Sequence, residues 1–429
     1  MFFLAYNILS IFLLVPVILY HLYRSVSRGR PPAFLERFGY IPSTELAPIK
    51  NRPVIWLHAV SVGETIAARP LLKALRKKYP GYAILISNTT ETGRSIASGY
   101  SEKDLCIYFP FDFLPAVRLA LNTIKPKMII IMETEIWPNF TREANRRRIP
   151  LILANGRISD HSYSGYLKFA WFFRHSLKLF SALCMQTEND CERIIAIGAP
   201  QKRTMTAGNL KYDIPFHPVS NKERAVLRER YAIPKELVVM TAASTHPGEE
   251  EYILAAYIEL IRETKDLFLV LVPRHPERTN EVAALLERMN LSYRKRSTLK
   301  MSENVQLKGG EVLLGNTIGE MMDFYALSNF AFVGGSLVPT GGHNLLEPAS
   351  LGIPTIYGPY MNNFKEIAEL VQHYGAGIRV ESADKLPEIF CTLIGNETLR
   401  QVLGQNGLKI IRDNGGASER HLQEIARYL

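Results

Sequence analysis

Four stretches of this chain place reactive side chains directly after short apolar runs. Val54–Leu57 leads into His58-Ala-Val-Ser-Val-Gly-Glu-Thr65, and Met128–Met132 into Glu133-Thr-Glu-Ile-Trp-Pro-Asn139. Phe268–Val272 leads into Pro273-Arg-His-Pro-Glu277, and Phe330–Val333 into a loop with two glycine pairs that reaches His343-Asn-Leu-Leu-Glu347. A carboxylate such as Glu64, at a cleft-facing strand end, can take a proton from a substrate hydroxyl. At the first turn of a helix it can equally complement the helix dipole. Glu133 and Glu135 are close enough to bind one ligand or share a proton; Trp137 beside them speaks against a solvated surface pair. Arg274 suits a phosphate or carboxylate, with a surface salt bridge as the other reading. Asn155-Gly-Arg157 and Asn209-Leu-Lys211 each add a cation at a strand end. Gly334-Gly335 and Gly341-Gly342 permit positive φ and close approach of a ligand to the main chain. Asn344 stands where a helix would begin, and its unpaired N–H groups suit a phosphate. Glu347 either faces that mouth or closes a capping box with Asn344; the second glycine pair favours the ligand.

The elements that position these groups alternate between strand and helix. Val54–Leu57, Ala83–Ile86, Met128–Met132, Leu151–Ala154 and Ala182–Met185 are expected as buried parallel strands, with helices at Thr65–Tyr79 and Ala116–Ile124 between them. The pattern predicts an α/β fold with sheets covered on both faces. It breaks around Tyr212–Ser220 and resumes through Val238–Ala242, Phe268–Val272, Val312–Leu314, Phe330–Val333 and Thr355–Tyr357, before a helical tail from Lys385. The expected organisation is an N-terminal segment 1–30, a first domain 31–215 and a second domain 216–429. Two such domains form a cleft, with ligands at the carboxyl ends of the strands.

At 429 residues the chain is long enough for two domains and a large core. Its net charge of +10 favours anionic partners, and no nucleic-acid signature accompanies it, so a membrane surface is the expected partner. Phe2–Tyr23 carries no Asp, Glu, Lys or Arg and is followed by Arg24, Arg28, Arg30 and Arg37. That order predicts a membrane anchor with the remainder on the cytoplasmic side, not a cleaved signal peptide. Asn7, Pro16 and His21 leave an interfacial helix as the alternative. The four cysteines form no metal spacing and are expected as reduced thiols.

There is no phosphate-binding G-x-x-x-x-G-K-[ST], no G-x-G-x-x-G, no H-E-x-x-H, no G-x-S-x-G and no Asp-x-Asp. No metal is expected, although Glu133 and Glu135 could stand in for an acidic metal motif. Group transfer from a phosphate-activated donor to a hydroxyl fits these features. The five segments His58–Thr65, Met132–Asn139, Gly208–Lys211, Val272–Arg278 and Val333–Glu347, in this order, resemble the 3-deoxy-D-manno-octulosonic acid (Kdo) transferases. The resemblance implies a B-type glycosyltransferase fold of two Rossmann-like domains with a membrane anchor. It implies CMP-Kdo as donor, the lipid A precursor as acceptor, and inversion without a metal or other cofactor at the inner membrane. By motif position, Glu64 would be the base, and Glu133 and Lys211 would support the transition state. Pro273, Arg274, Ile318, Gly319, Glu320, Asn344, Leu345, Leu346 and Glu347 would hold CMP. Leu345 where the family commonly has proline, and Pro348 directly after Glu347, are departures that shift the expected helix start. A basic field from Arg142, Arg146–Arg148, Arg174 and Lys178 would face the glycolipid headgroup; a solvated helix end is the other reading of Arg146–Arg148. A nucleotide-sugar epimerase and a membrane-tethered nucleotide-binding scaffold are the competing functions.

Overall fold

The computed structural model describes residues 2–28, 33–214, 217–299 and 306–429. Arg30, and Pro215 and Phe216 within the expected domain boundary, lie outside the described residues. The chain divides into two compact units, Met1–Asp213 with Asn414–Leu429, and Ile214–Asp413.

The first unit is a parallel sheet of seven strands: β1 (Val54–His58), β2 (Ala83–Asn88), β3 (Leu105–Tyr108), β4 (Met128–Met132), β5 (Leu151–Gly156), β6 (Ala182–Met185) and β7 (Thr204–Thr206). Their order is β3-β2-β1-β4-β5-β6-β7. Every residue of β1, β2, β4, β5 and β6 is buried, which is why these strands read as unbroken apolar runs. Helices cover both faces. Ile55, Leu57, Ile130 and Ile152 join Leu71, Leu72 and Leu75 of the helix Val62–Lys78 in one core. Trp56, Leu85, Ile129 and Ile131 join Val117 and Leu121 of the helix Leu114–Ile124 in the other.

The second unit repeats the plan with β8 (Val238–Thr245), β9 (Leu267–Pro273), β10 (Tyr293–Lys295), β11 (Val312–Leu314), β12 (Phe330–Val333), β13 (Thr355–Tyr357) and β14 (Gly377–Arg379). All neighbours pair in parallel in the order β10-β11-β9-β8-β12-β13-β14. Pattern reading omits β3, β7, β10 and β14. They are short strands at or near the sheet edges, and β7, β10 and β14 are nowhere fully buried, so no apolar run marks them.

The tail departs from the expected second domain of 216–429. Its last helix, Ala417–Ile425, belongs to the first unit, where Ala417, Leu422 and Ile425 pack with Ala68, Leu71 and Leu210. The Asp213 carboxylate accepts the N–H groups of Gly416 and Ser418, both at 2.6 Å. His421 donates from Nδ1 to the Ala417 carbonyl (2.7 Å), so its Nε2 is bare and accepts the Asn155 N–H (3.0 Å).

The N-terminal helix runs Phe2–Arg28. Among the described residues no single helix is long and apolar enough to cross a membrane. Phe3–Phe12 and Leu14–Tyr20 meet that length and composition only together, bent by 42°. The bend has a cause in Pro16. Its ring displaces the carbonyl four residues back, that of Phe12, and its nitrogen cannot bond to it. Near its start the helix is tied to the first unit. Tyr6 donates its hydroxyl to Asp112 (2.8 Å) and packs on Phe172, and Arg142 sits over the Phe3 ring. Leu4, Phe12, Val15, Leu19 and Tyr23 are exposed along it.

Candidate active site

In the first unit the chain leaves β1 for β2 and β3, then returns to β4 on the other side. The strand order therefore reverses between β1 and β4, where parallel α/β sheets bind ligands. The helix Val62–Lys78 begins just beyond β1, with the Ser61 hydroxyl accepting the Glu64 N–H (3.4 Å). The Glu64 carboxylate folds back to accept the Val60 N–H (2.7 Å) and the Ser61 O–H (2.9 Å). Both readings of Glu64 thus coexist: it caps the helix, and its oxygens keep further lone pairs for a substrate proton. Burial raises its pKa, against the pull of those hydrogen bonds and of Lys211.

Beyond β4, Glu133 holds a left-handed backbone conformation (φ 54°), rare for a residue with a side chain, while its N–H stays on the Ala154 carbonyl (2.8 Å). This kink precedes Glu135, whose carboxyl is pushed up to about 7 by burial and by the charges of Glu64 and Glu133. Lys211 follows a turn fixed by buried amides: Asn155 Oδ1 accepts the Leu210 N–H and Asn209 Oδ1 the Lys211 N–H, both at 2.9 Å. The structure therefore gathers the sequence-predicted Glu64, Glu133 and Lys211 at the switch point. It adds Glu135, which the Glu-x-Glu spacing had offered only as a member of a pair.

The second unit has its own reversal between β8 and β12. β8 ends in an irregularity between Ala243 and Thr245, with Ser244 at φ 54°. Gly334 lies against it; a Cβ there would stand 2.5 Å from the Ser244 oxygen, so glycine is required. The first glycine pair is expected to permit close approach of a ligand to the main chain, but the amides of this loop are already taken. The buried Glu249 carboxylate takes the N–H groups of Gly335 (2.6 Å), Ser336 (2.8 Å) and Leu337 (2.7 Å), and also that of His246 (3.0 Å). The second glycine pair serves packing, since a Cβ at Gly342 would meet Met361 Sδ at 2.3 Å.

The helix expected after Asn344 is only Leu346–Ser350, with Pro348 inside it. So short a helix carries little dipole, and Asn344 Oδ1 already accepts the Leu346 N–H (3.1 Å). Leu345 and Leu346 are fully buried, so their side chains serve the core. Burial raises the pKa of Glu347, opposed by the Arg274 charge and a hydrogen bond with the Asn344 side chain. Glu347 thus faces Arg274 and does not close a capping box onto the Asn344 N–H. Pro273 is the buried last residue of β9, and the Arg274 N–H bonds to the Thr245 carbonyl (3.0 Å). Arg274 itself is exposed, and among the described residues its guanidinium has no hydrogen bond or ion pair. Glu320 sits in a different network, accepting from Arg296 (2.8 Å), Tyr231 (3.0 Å) and Thr317. Those bonds outweigh its burial and lower its pKa. Beside it Ile318 is 88% exposed and Gly319 takes φ +91°. Sequence reading missed His246 and His343, which meet across the β8/β12 reversal. The signal was there, since Thr245-His246 ends an apolar run as the other motifs do.

Of the basic side chains expected to face a headgroup, Arg147 is bound to Glu143, which also draws Arg118 (3.2 Å) and Arg146 (3.7 Å). All four cysteines are free.

Two units of this plan, each with polar groups at its switch point, define the B-type glycosyltransferase fold. A glycosyltransferase from Rickettsia africae aligns with a TM-score of 0.51 at 14% identity, covering 88% of this chain and 98% of that one. A UDP-GlcNAc 2-epimerase from Neisseria meningitidis aligns with a TM-score of 0.50 at 15% identity, over 87% of this chain and 100% of that one. The fold alone therefore leaves transferase and epimerase open. Sequence decides between them. The family model described as 3-deoxy-D-manno-octulosonic-acid transferase (kdotransferase) matches residues 33–214. The 3-deoxy-D-manno-octulosonic acid transferase of Haemophilus influenzae is 35% identical over 397 residues, 92% of this chain and 91% of that protein. The chain belongs to the Kdo transferase family and is a glycosyltransferase of lipopolysaccharide biosynthesis.

Proposed function

We propose that this enzyme moves Kdo from CMP-Kdo to a hydroxyl of the lipid A precursor, with inversion and without a metal, at the cytoplasmic face of the inner membrane. The observation that carries the reading is the group at the β1/β4 reversal: Glu64 held by Val60 and Ser61, with Lys211, Glu133 and Glu135 beside it. The Lys211 charge favours the ionised form of Glu64, and Glu64 takes the acceptor's proton as the acceptor oxygen attacks the anomeric carbon. A single displacement breaks the bond to the CMP oxygen, which leaves with both electrons. Arg274, unpaired among the described residues, meets the charge that develops there. The exposed Ile318 and the Gly319 turn offer an apolar surface and open main chain for the rest of the nucleotide.

With Arg274 supplying the positive field, turnover persists in excess chelator. Loss of activity in EDTA, restored by magnesium, would make Glu133 or Glu135 a metal ligand instead. The exposed apolar residues of the helix Phe2–Arg28 support membrane attachment, as do the exposed Phe169 and Trp171 in the same unit. Removing residues 1–30 breaks the Tyr6–Asp112 bond, and a hydrogen bond to a charged group is worth on the order of 1.5–3 kcal/mol. The remainder stays folded by thermal melt. Its activity survives better on detergent-dispersed acceptor than on acceptor in vesicles; equal loss on both would make the helix part of the fold and not an attachment. Mass measurement of the product from a tetraacylated lipid A precursor and CMP-Kdo tests the reading directly.

A further inference from the structure

His246 leaves β8 just past the irregularity at Ser244, and His343 lies in the loop after β12. Their Nε2 atoms are 2.9 Å apart, the rings tilted by 13° with centroids at 5.1 Å. Their main chains are fixed. Glu249 accepts the His246 N–H, and Gly342, next to His343, donates to the Gly335 carbonyl (2.7 Å). Two imidazole nitrogens at this distance need one proton between them, so one ring donates and the other accepts. In the donating ring Nδ1 is then bare, and the pair has room for one more proton. Neighbouring cations oppose it. Arg274, next to the His275 ring at the end of β9, faces both rings, and Arg278 faces His246; Glu250 pulls the other way on His246, whose main-chain N–H also meets the Glu249 carboxylate. Burial acts first and in the same sense as the cations, so His246 lies below its ordinary value and His343 falls to about 4. At neutral pH the empty pair is uncharged.

An anion beside Arg274 cancels this opposing field. We propose that His246 and His343 form a proton-taking phosphate subsite: the phosphate of the nucleotide binds against the pair beside Arg274, and the pair gains one proton when that phosphate carries its second charge. The inference rests on the donor reading above and adds a chemical reason for two histidines at the switch point. In a sugar nucleotide monophosphate the phosphate is a diester with one charge. When the bond to the anomeric carbon breaks, the electron pair stays on the phosphate oxygen and the leaving nucleotide becomes a monoester with a second charge. A proton drawn from solvent onto the pair balances that second charge, while the acceptor's proton goes to Glu64. The subsite therefore binds the leaving state more tightly than the donor, the condition for lowering the barrier.

Calorimetric titration of the full chain with CMP, in buffers of different ionisation enthalpy, counts the protons. Near neutral pH the expected uptake is about one proton per CMP bound, and CMP affinity falls about tenfold per pH unit in that range. Cytidine, which lacks the phosphate, takes up none. In His246→Gln and His343→Gln the uptake on CMP binding drops towards zero. In the unmutated protein the imidazole resonances of these two rings move to the protonated position on adding CMP, a readout independent of whether either variant folds. CMP binding with no proton uptake overturns the proposal but leaves the donor reading standing. Uptake unchanged in both variants also overturns it, by placing the proton on the phosphate. Absence of CMP binding to the unmutated protein overturns the donor reading and this subsite with it.

Discussion

Glu64→Gln lowers kcat by about 10² to 10⁴, the usual cost of removing a general base. Two oxygens of Glu64 accept hydrogen bonds from Val60 and Ser61, and an amide can replace only one of them as an acceptor. The variant therefore also loses stability, on the order of 1–3 kcal/mol for a donor left without its partner. The two roles separate by observable. If Glu64 only caps its helix, the melting temperature falls and kcat stays near normal. If it is the base, kcat collapses in the fraction that remains folded, while CMP binding, assigned to the second unit, is unchanged. The pH profile adds a second check. The base must be ionised, and burial holds its proton to higher pH than an ordinary carboxylate. The acid limb of kcat/KM thus lies above the usual value of about 4.3 for a glutamate, activity being lost as pH falls through it. An acid limb at the ordinary value would mean that the base is a solvated carboxylate elsewhere.

Arg274→Ala raises the KM for the sugar-nucleotide donor about tenfold to a hundredfold, since a charge-assisted contact is worth roughly 1.5–3 kcal/mol. CMP inhibits the variant correspondingly less, and the KM for the acceptor changes little. The fold should not suffer. Arg274 is exposed, and among the described residues its guanidinium bonds to nothing, so truncation leaves no broken ion pair behind. The nearest consequence is at Glu347, which loses the cation that favours its ionised form. Unchanged donor KM together with unchanged CMP inhibition would remove Arg274 from the nucleotide site. A lowered melting temperature in its place would make it a structural residue.

The sequence by itself determined the two α/β series, because strands buried on both faces must be apolar throughout, as β1, β4 and β9 are. Strand ends then located Glu64, Glu133 and Arg274, since a sheet of this kind presents its carboxyl ends to ligands. What it could not decide depends on partners distant in the chain. Whether glycine-loop amides remain free depends on Glu249, which lies 86 residues or more from the loop amides that it accepts. The Glu135 carboxyl is pushed up by burial and by the charges of Glu64 and Glu133, which no spacing expresses. His246 and His343, 97 residues apart, become a pair only because β8 and β12 are neighbours at the strand reversal. The last helix reads as part of the second unit by position, yet it packs on the first because Asp213, Asn155 and the Leu71–Leu210 core receive it. Local composition sets which segments are buried; long-range pairing sets which polar groups are already satisfied and which are left to meet a substrate.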